Sequence, residues 1–334
     1  NLKMKKRRKQ IMSKEEKSDI EKRSEILFLY DAKDCDPNGD PFTGEPRYDE
    51  ENQKVMVSDV RLKRYIRDYI DEFESDENDE SINDKDKSKI VFYSSLGDTQ
   101  TVGGRRKSLK DFLDKNDEQD ILEKCIDIRL FGCVLAEAGN NINLTGAVQF
   151  KNLNRSINKV ELEVFQNTSV MKSKEEHEQG AIATASLVPY ALISAIGYIN
   201  PKTAEYNLTK QKDIELMLSA LWNKVNIINT RSKTGQTSRL LLLVEYKDGI
   251  SKLSDLEHKI QLKDDHKNKM DYRSFQSIEK DLDFSLLSKT LKENQEIISQ
   301  LKYYIDPSGG YDNINSFITE IEEAGIPTEK IDFI

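Results

Sequence analysis

Cysteine, histidine and tryptophan are scarce in this chain of 334 residues, with three, three and one respectively. Cys35, Cys125 and Cys133 cannot close a paired disulfide framework, and no Cys-x-x-Cys or His-x-x-x-His spacing accompanies them, which excludes the common zinc signatures and points to a reducing cytoplasm. Cys125 and Cys133 lie in apolar periodic stretches and read as core thiols. His177, His258 and His266 all stand in polar surroundings, and no Gly-x-Ser-x-Gly elbow is present, so the residue types of a hydrolytic centre are largely missing. Long hydrophobic runs are missing too. The longest aliphatic run, Leu240 to Val244, falls far short of the roughly 20 residues that span a bilayer. These absences lead to the expectation of a soluble cytoplasmic protein with no membrane partner and no cofactor.

What is present is charge: 33% of the residues are charged against 37% hydrophobic, and the net charge is −9. Nucleic-acid-binding domains usually carry a basic footprint, but distribution matters more than the total. Residues 1–12 hold Lys3, Lys5, Lys6, Arg7, Arg8 and Lys9 and no acidic residue. Such a head, within a tail extending to residue 23, reads as an RNA-binding arm, a nuclear signal, or sequence preceding a natural start at Met12. Residues 71–88 carry nine carboxylates against Lys85 and Lys87, and read as a solvated, disordered loop. Residues 251–280 read as a polar linker or loop, and a periodic segment near 282–304 opens a C-terminal part, 281–334, expected to pack on the body.

Between these stretches, strand and helix signals alternate. Ile26 to Tyr30 is a short apolar run ending in the turn-rich Asp34-Cys-Asp-Pro-Asn-Gly-Asp-Pro41, and reads as a buried strand. After Ser58, a suitable N-cap, Leu62, Tyr65, Ile66, Tyr69, Ile70 and Phe73 recur at helical spacing. Residues 118–131 and 209–225 read as further helices, and 146–150, 160–165, 187–199 and 240–246 as strands. That order predicts an α+β fold, an RRM-like (ferredoxin-like) palm with a four-stranded antiparallel sheet and two helices over residues 24–250. Two insertions interrupt it, one at 74–144 and a polar one at 166–186 suited to a projecting hairpin. No aromatic RNP signature is found, so base stacking on the sheet face is not expected.

Several constellations have chemical meaning. Asp34, Asp36, Asn38, Asp40 and Glu45, with Gly39 between, satisfy the calcium-loop spacing. A strand rather than a helix precedes them, and Pro37 and Pro41 interrupt them, so the alternative is a tight turn whose carboxylates cap backbone N–H groups. On the helix after Ser58, the cations Arg61, Lys63, Arg64 and Arg67 flank the apolar stripe, a cluster able to neutralise phosphates or simply to form a solvated face with Asp59, Asp68 and Asp71. Gly103-Gly-Arg-Arg-Lys-Ser-Leu-Lys110 joins flexible backbone to positive charge without P-loop spacing. Arg231, Lys233, Gln236 and Arg239 surround one glycine just before the last strand, where a loop can approach a nucleic-acid backbone.

The order of these blocks resembles a family, the CRISPR-associated backbone subunit of type I Cascade effectors (the Cas-seven family of the RAMP superfamily), most closely its type I-B branch. The resemblance is carried by Asp31-Ala-Lys-Asp-Cys-Asp-Pro-Asn-Gly-Asp-Pro41, Gly44-Glu-Pro-Arg47 and Val57-Ser-Asp-Val-Arg-Leu-Lys-Arg-Tyr-Ile-Arg67. Asp127-Ile-Arg-Leu-Phe-Gly132, Leu144-Thr-Gly-Ala-Val-Gln-Phe150, Asn154-Arg-Ser156 and Asn229-Thr-Arg-Ser-Lys-Thr-Gly-Gln236 continue it across most of residues 24–247. The resemblance implies a right-hand shape: an RRM-like palm, fingers in the 74–144 insertion and a thumb hairpin at 166–186. It also implies a helical backbone of several copies along one CRISPR RNA (crRNA), assembled with other Cascade subunits into a ribonucleoprotein of antiviral defence. Ser58, Arg61, Lys63, Arg64 and Arg67 would hold guide phosphates, Val170 and Met171 on the thumb would kink the guide, and Arg129, Gln149, Arg155 and the residues from Arg231 to Arg239 would assist. Target DNA would be read by base pairing with the guide. The expected role is non-catalytic, with nuclease activity in a partner; the alternatives are a calcium-binding module or a metal-dependent RNA endonuclease of the same superfamily acting through a carboxylate such as Asp36.

Overall fold

The computed structural model describes residues 18–84, 86–96, 101–109, 113, 118–135, 141–168 and 182–333. At its centre lies strand β1 (Ser24–Cys35). Its unbroken apolar run follows from its position, because a strand covered on both faces needs no polar alternation. Ile26, Phe28, Tyr30 and Ala32 enter one core, and Leu27 and Leu29 enter another.

Around β1 the chain builds one mixed sheet from β2 (Tyr48–Asp49), β3 (Lys54–Ser58), β6 (Val148–Phe150), β7 (Leu153–Ser156), β8 (Glu163–Thr168), β9 (Ile182–Ile199), β10 (Gln236–Tyr246), β13 (Ile298–Ile305) and β14 (Thr328–Lys330). The order is β14-β13-β10-β1-β9-β7-β3-β2, with β6 and β8 also paired to β9. Four strands were expected, and the sheet has ten. The growth comes from β9, whose 18 residues run along β1 on one side and take three partners in turn on the other. Those partners are β8 near its start, β7 in the middle and β6 at its end. The β8–β9 ladder runs from Glu163↔Leu187 to Thr168↔Ile182. Val170, Met171 and the rest of 169–181 lie outside the described residues.

One face of the sheet is covered by α1 (Asp59–Tyr69) and, further along the chain, by a second long helix, Gln211–Ile227. Leu62, Tyr65 and Ile66 of α1 are buried as the stripe requires, but Phe73 is exposed. A π-helical turn at Ile70–Glu74 adds residues to the turn and rotates Phe73 away from the core.

The 74–144 insertion has its own small core. It contains α2 (Val102–Ser108), α3 (Glu118–Lys124), α4 (Ile126–Phe131) and the hairpin β4 (Gly132–Leu135) with β5 (Ile142–Thr145). Ile90, Phe92, Leu109, Ile121, Cys125 and Leu144 are among its buried side chains. The acidic stretch, expected to be a disordered loop, is tied down instead. Asp76 is buried and accepts hydrogen bonds from the N–H groups of Ser88 and Lys89, both at 3.0 Å, while Glu77 pairs with Arg105 on α2. Glu72 takes Lys224. The carboxylates that precluded an apolar core there serve as anchors between the insertion and the body.

After β9 come α5 (Pro201–Asn207) and the second cover helix, α6 (Gln211–Ile227). The other sheet face is closed by β11 (Gln261–Leu262), α7 (Phe275–Glu279), β12 (Leu282–Asp283), α8 (Ser285–Glu293) and α9 (Asp312–Glu323). The expected polar linker at 251–280 is therefore part of the core. Leu253, Leu256, Ile260, Leu262, Tyr272, Phe275 and Ile278 are buried, spaced too irregularly to show a period in sequence. The periodic segment 282–304 divides into β12, α8 and β13.

Candidate nucleic-acid interface

At the C-terminal end of β1 three segments meet: the turn 36–47, the start of α1 and the loop 229–235. Asn38 joins the first two, its side-chain oxygen accepting from Ser58 N–H at 2.7 Å and from Ser58 Oγ at 2.8 Å. Ser58 Oγ in turn accepts the N–H of Arg61, capping the helix as its sequence position suggested. Lys233 joins the first and third segments: its ammonium donates to the Asp36 carbonyl at 2.6 Å and pairs with the Asp36 carboxylate at 3.1 Å. Gly235 has φ of +105°, and a Cβ there would stand 2.3 Å from the Lys33 carbonyl oxygen, so only glycine lets the loop lie this close to β1. Tyr65 on α1 completes the junction by donating to Gln236 at 2.8 Å.

Two cations at this edge are available. The Arg61 guanidinium lies over the Tyr65 ring at 4.2 Å, and its buried Nε has no hydrogen-bond partner. Arg231 is exposed at the loop tip, with no ion pair among the described residues. Beside them Phe42, 97% exposed, projects from the turn. Reading the sequence missed Phe42; its signal is a large aromatic inside a Pro-Phe-Thr-Gly turn, where no core exists to receive it.

The other cations of α1 are engaged. Lys63 pairs with Asp59 at 2.9 Å and lies over the Phe131 ring, and Arg64 pairs with Asp68 and donates to the Tyr93 carbonyl, all four charged side chains being half-buried. Arg67 reaches the fully buried Asp127 at 2.9 Å and lies over the rings of Tyr93 and Phe131, each at 5.2 Å. Asp127 also accepts the N–H groups of Phe92 and Tyr93, so this pair joins α1 to the insertion.

Four further candidates do not join the edge. Arg129 is buried against Asp213 through two 3.0 Å contacts and donates to the carbonyls of Leu122, Glu123 and Ser88, which leaves it no donor to offer a phosphate. Gln149 lies opposite Tyr198 and donates to the Gly146 carbonyl. Arg155 pairs with Asp49 at 3.0 Å on the sheet face away from α1. Arg239 sits where the β1–β10 register slips between Leu29/Leu240 and Tyr30/Ser238. This β-bulge turns it to the second face, into a network with Asp31, Asp306 and Tyr311 over the Phe275 ring.

The calcium-loop spacing is not matched by a calcium-like arrangement. Asp36 is held by Lys233, Asn38 by Ser58, Asp40 by Arg47 at 3.0 Å and Glu45 by Ser186 at 3.2 Å. Asp34, at φ of +51°, stands opposite Pro189, which has no N–H to donate. Among the described residues no group of three or more His, Cys, Asp or Glu side chains is arranged to hold a metal ion, and Lys233 places an ammonium where a metal-binding nuclease would need Asp36 free. The three thiols are free and buried. Burial pushes Cys35 and Cys133 up to about 12 and raises Cys125 well above the ordinary thiol range, as suits core thiols.

The geometry thus defines a mixed α+β protein, a large sheet with helices on both faces and a cationic edge at the end of its central strand. The chain belongs to the family of CRISPR-associated protein Cas7, whose family model matches residues 22–283. A CRISPR-associated protein Cas7 of Haloferax volcanii is 29% identical, over 93% of this chain and 97% of that protein. A chain of a CRISPR RNA-guided surveillance complex, pre-nicking, superposes with a TM-score of 0.53 at 11% identity, covering 93% of this chain and 96% of the other, a likeness of fold. No described helix is long and apolar enough to cross a membrane.

Proposed function

We propose that this chain is the guide-coating backbone subunit of a CRISPR RNA-guided surveillance complex, of the type I-B branch of Cascade. The observation that carries the reading is the meeting of the turn 36–47, the start of α1 and the loop 229–235 at one edge, in a chain of the Cas7 family. Backbone recognition needs cations and N–H groups at spaced points, with no base readout. Arg61 and Arg231 supply the cations, whereas the N–H groups of Ser58, Asp59 and Arg61 are already given to Asn38, Asn152 and Ser58. Lys63 and Arg64 exchange their half-buried carboxylate partners for phosphates when RNA arrives, Phe42 packs on a base or sugar, and Ser58, Lys233, Gln236 and Arg67 hold the edge in shape.

In this reading β10, β1 and β9 with α1 and α6 form an RRM-like palm, the 74–144 insertion the fingers and 166–186 the thumb, with Val170 and Met171 kinking the guide. Further copies and other Cascade subunits complete a cytoplasmic assembly that presents the guide for pairing with target DNA, and cleavage falls to a partner nuclease. The test is size-exclusion chromatography with a CRISPR-repeat RNA at low and high salt, read at 260 and 280 nm. RNA-containing species that dissociate with salt, and that weaken in an Arg61→Ala/Arg231→Ala variant, support the reading. A protein that ignores the RNA at every salt concentration contradicts it.

A further inference from the structure

On the sheet face turned away from α1, a cleft of about 400 Å³ lies between β3, β7 and β9 on one side and the 257–268 segment on the other. Its volume falls within the range of sites that enclose a small ligand. Its lining is unusual in sign. Lys54, Arg155, Lys159 and Lys267 face it together with His258. Neither the Lys54 nor the Lys159 ammonium has a hydrogen bond or ion pair among the described residues, whereas Arg155 has Asp49 and Lys267 has Asp264. Lys151 also lines the cleft and is paired with Glu257, whose carboxylate is the acidic group in the lining. Burial, then the nearby charges of Arg155 and Lys159, pull Lys54 below its ordinary pKa, against the opposing pull of Asp49. A cluster of like charges in a half-buried cleft costs stability in the absence of an anion.

Two orphaned polar atoms lie in the same lining. Ser194 is only 4% exposed, and its hydroxyl has no partner. Glu257 Oε2 is buried and likewise unpartnered, its carboxylate held ionised by Lys151 despite burial. A bare phosphate would satisfy the cations and the serine hydroxyl but would leave Glu257 Oε2 without a donor. A ligand carrying both a phosphate and hydroxyl or amino hydrogens would satisfy all of them. Leu153, Ile260 and Leu262 give the remaining wall an apolar character on which a sugar or base can rest.

We propose that this cleft is a nucleotide-binding site, separate from the guide-binding edge, that takes the phosphate on Lys54, Arg155 and Lys159 and a sugar hydroxyl or base amino group on Glu257. The nucleotide comes either as a free mononucleotide or as one unit of a single-stranded nucleic acid crossing the second face of the sheet. The inference does not rest on the guide-coating reading, since the two sites share no residue.

The test uses calorimetry with adenosine 5′-monophosphate, with adenosine as the phosphate-free control, and a 12-nucleotide single-stranded RNA titrated into an Arg61→Ala/Arg231→Ala background. Removing two charged contacts with Lys54→Gln/Lys159→Gln is expected to weaken binding by about tenfold or more, and because it relieves repulsion the variant should melt no lower than the parent. Loss of monophosphate binding in that variant, with adenosine inert throughout, supports the site and a free nucleotide. Loss of oligonucleotide binding, with the monophosphate ineffective, supports the site and a polymeric source. Binding of either probe that is indifferent to Lys54→Gln/Lys159→Gln, or no binding of either probe, overturns it. Failure of guide coating alone would appear in the chromatography and leave these titrations unchanged.

Discussion

Arg61 and Arg129 have the same side chain and opposite surroundings. Arg129 is enclosed with Asp213, so replacing it strands a carboxylate in a dry site. Arg129→Met is therefore expected to lower stability by about 3–5 kcal/mol, measured by urea unfolding, because an unpaired buried charge is costly. Sequence could show that Arg129 is a cation in an apolar stretch, but its partner is 84 residues away. Arg61, stacked on Tyr65, was legible from the N-cap and the helical spacing alone. Glu25 gives a pH signature. Burial, as the largest effect, holds its carboxyl above the ordinary 4.5, partly opposed by hydrogen bonds from the Tyr246 hydroxyl and the Leu253 N–H. The folded chain thus binds this proton more tightly than the unfolded one. Its stabilising contribution is full below the unfolded pKa and is lost as pH rises through the raised folded value. Glu25→Gln should flatten the fall of stability from about pH 4.5 towards neutrality in urea melts; an unchanged slope would reject this assignment.

Elements were legible where a period ran unbroken and illegible where the chain departs from it. The α1 stripe was clear up to Ile70, but nothing in the side chains announced the π-helical turn that turns Phe73 outward. Similarly, Arg231, Lys233, Gln236 and Arg239 look contiguous in sequence, and the bulge at Arg239 separates the last from the others. The acidic stretch was misread because composition speaks to core formation and not to anchoring. Asp76 bridges the N–H groups of Ser88 and Lys89, so Asp76→Ala should speed hydrogen exchange at those two amides by about tenfold or more while leaving β1 amides protected. Equal exchange in parent and variant would mean that the stretch is held elsewhere.

At the scale of the molecule, the central sheet is apolar on both faces and needs both covers. The layer after residue 250 shields Leu27, Leu29, Leu192, Leu240 and Leu242, so a chain ending at residue 250 is expected to aggregate on expression. Recovery of that shortened chain as a soluble monomer would mean that the second face does not need its cover. On the proposed reading the acidic total and the cationic edge are compatible, because a subunit repeated along RNA needs local phosphate contacts rather than a basic whole. Copy number along one strand is the property that separates a guide-coating subunit from an ordinary RNA-binding protein. It is read most directly by native mass spectrometry of the chain with single-stranded CRISPR-repeat RNAs of increasing length. The expected result is one RNA per assembly, with protein copies added stepwise as the RNA lengthens. A single copy at every RNA length would contradict guide coating.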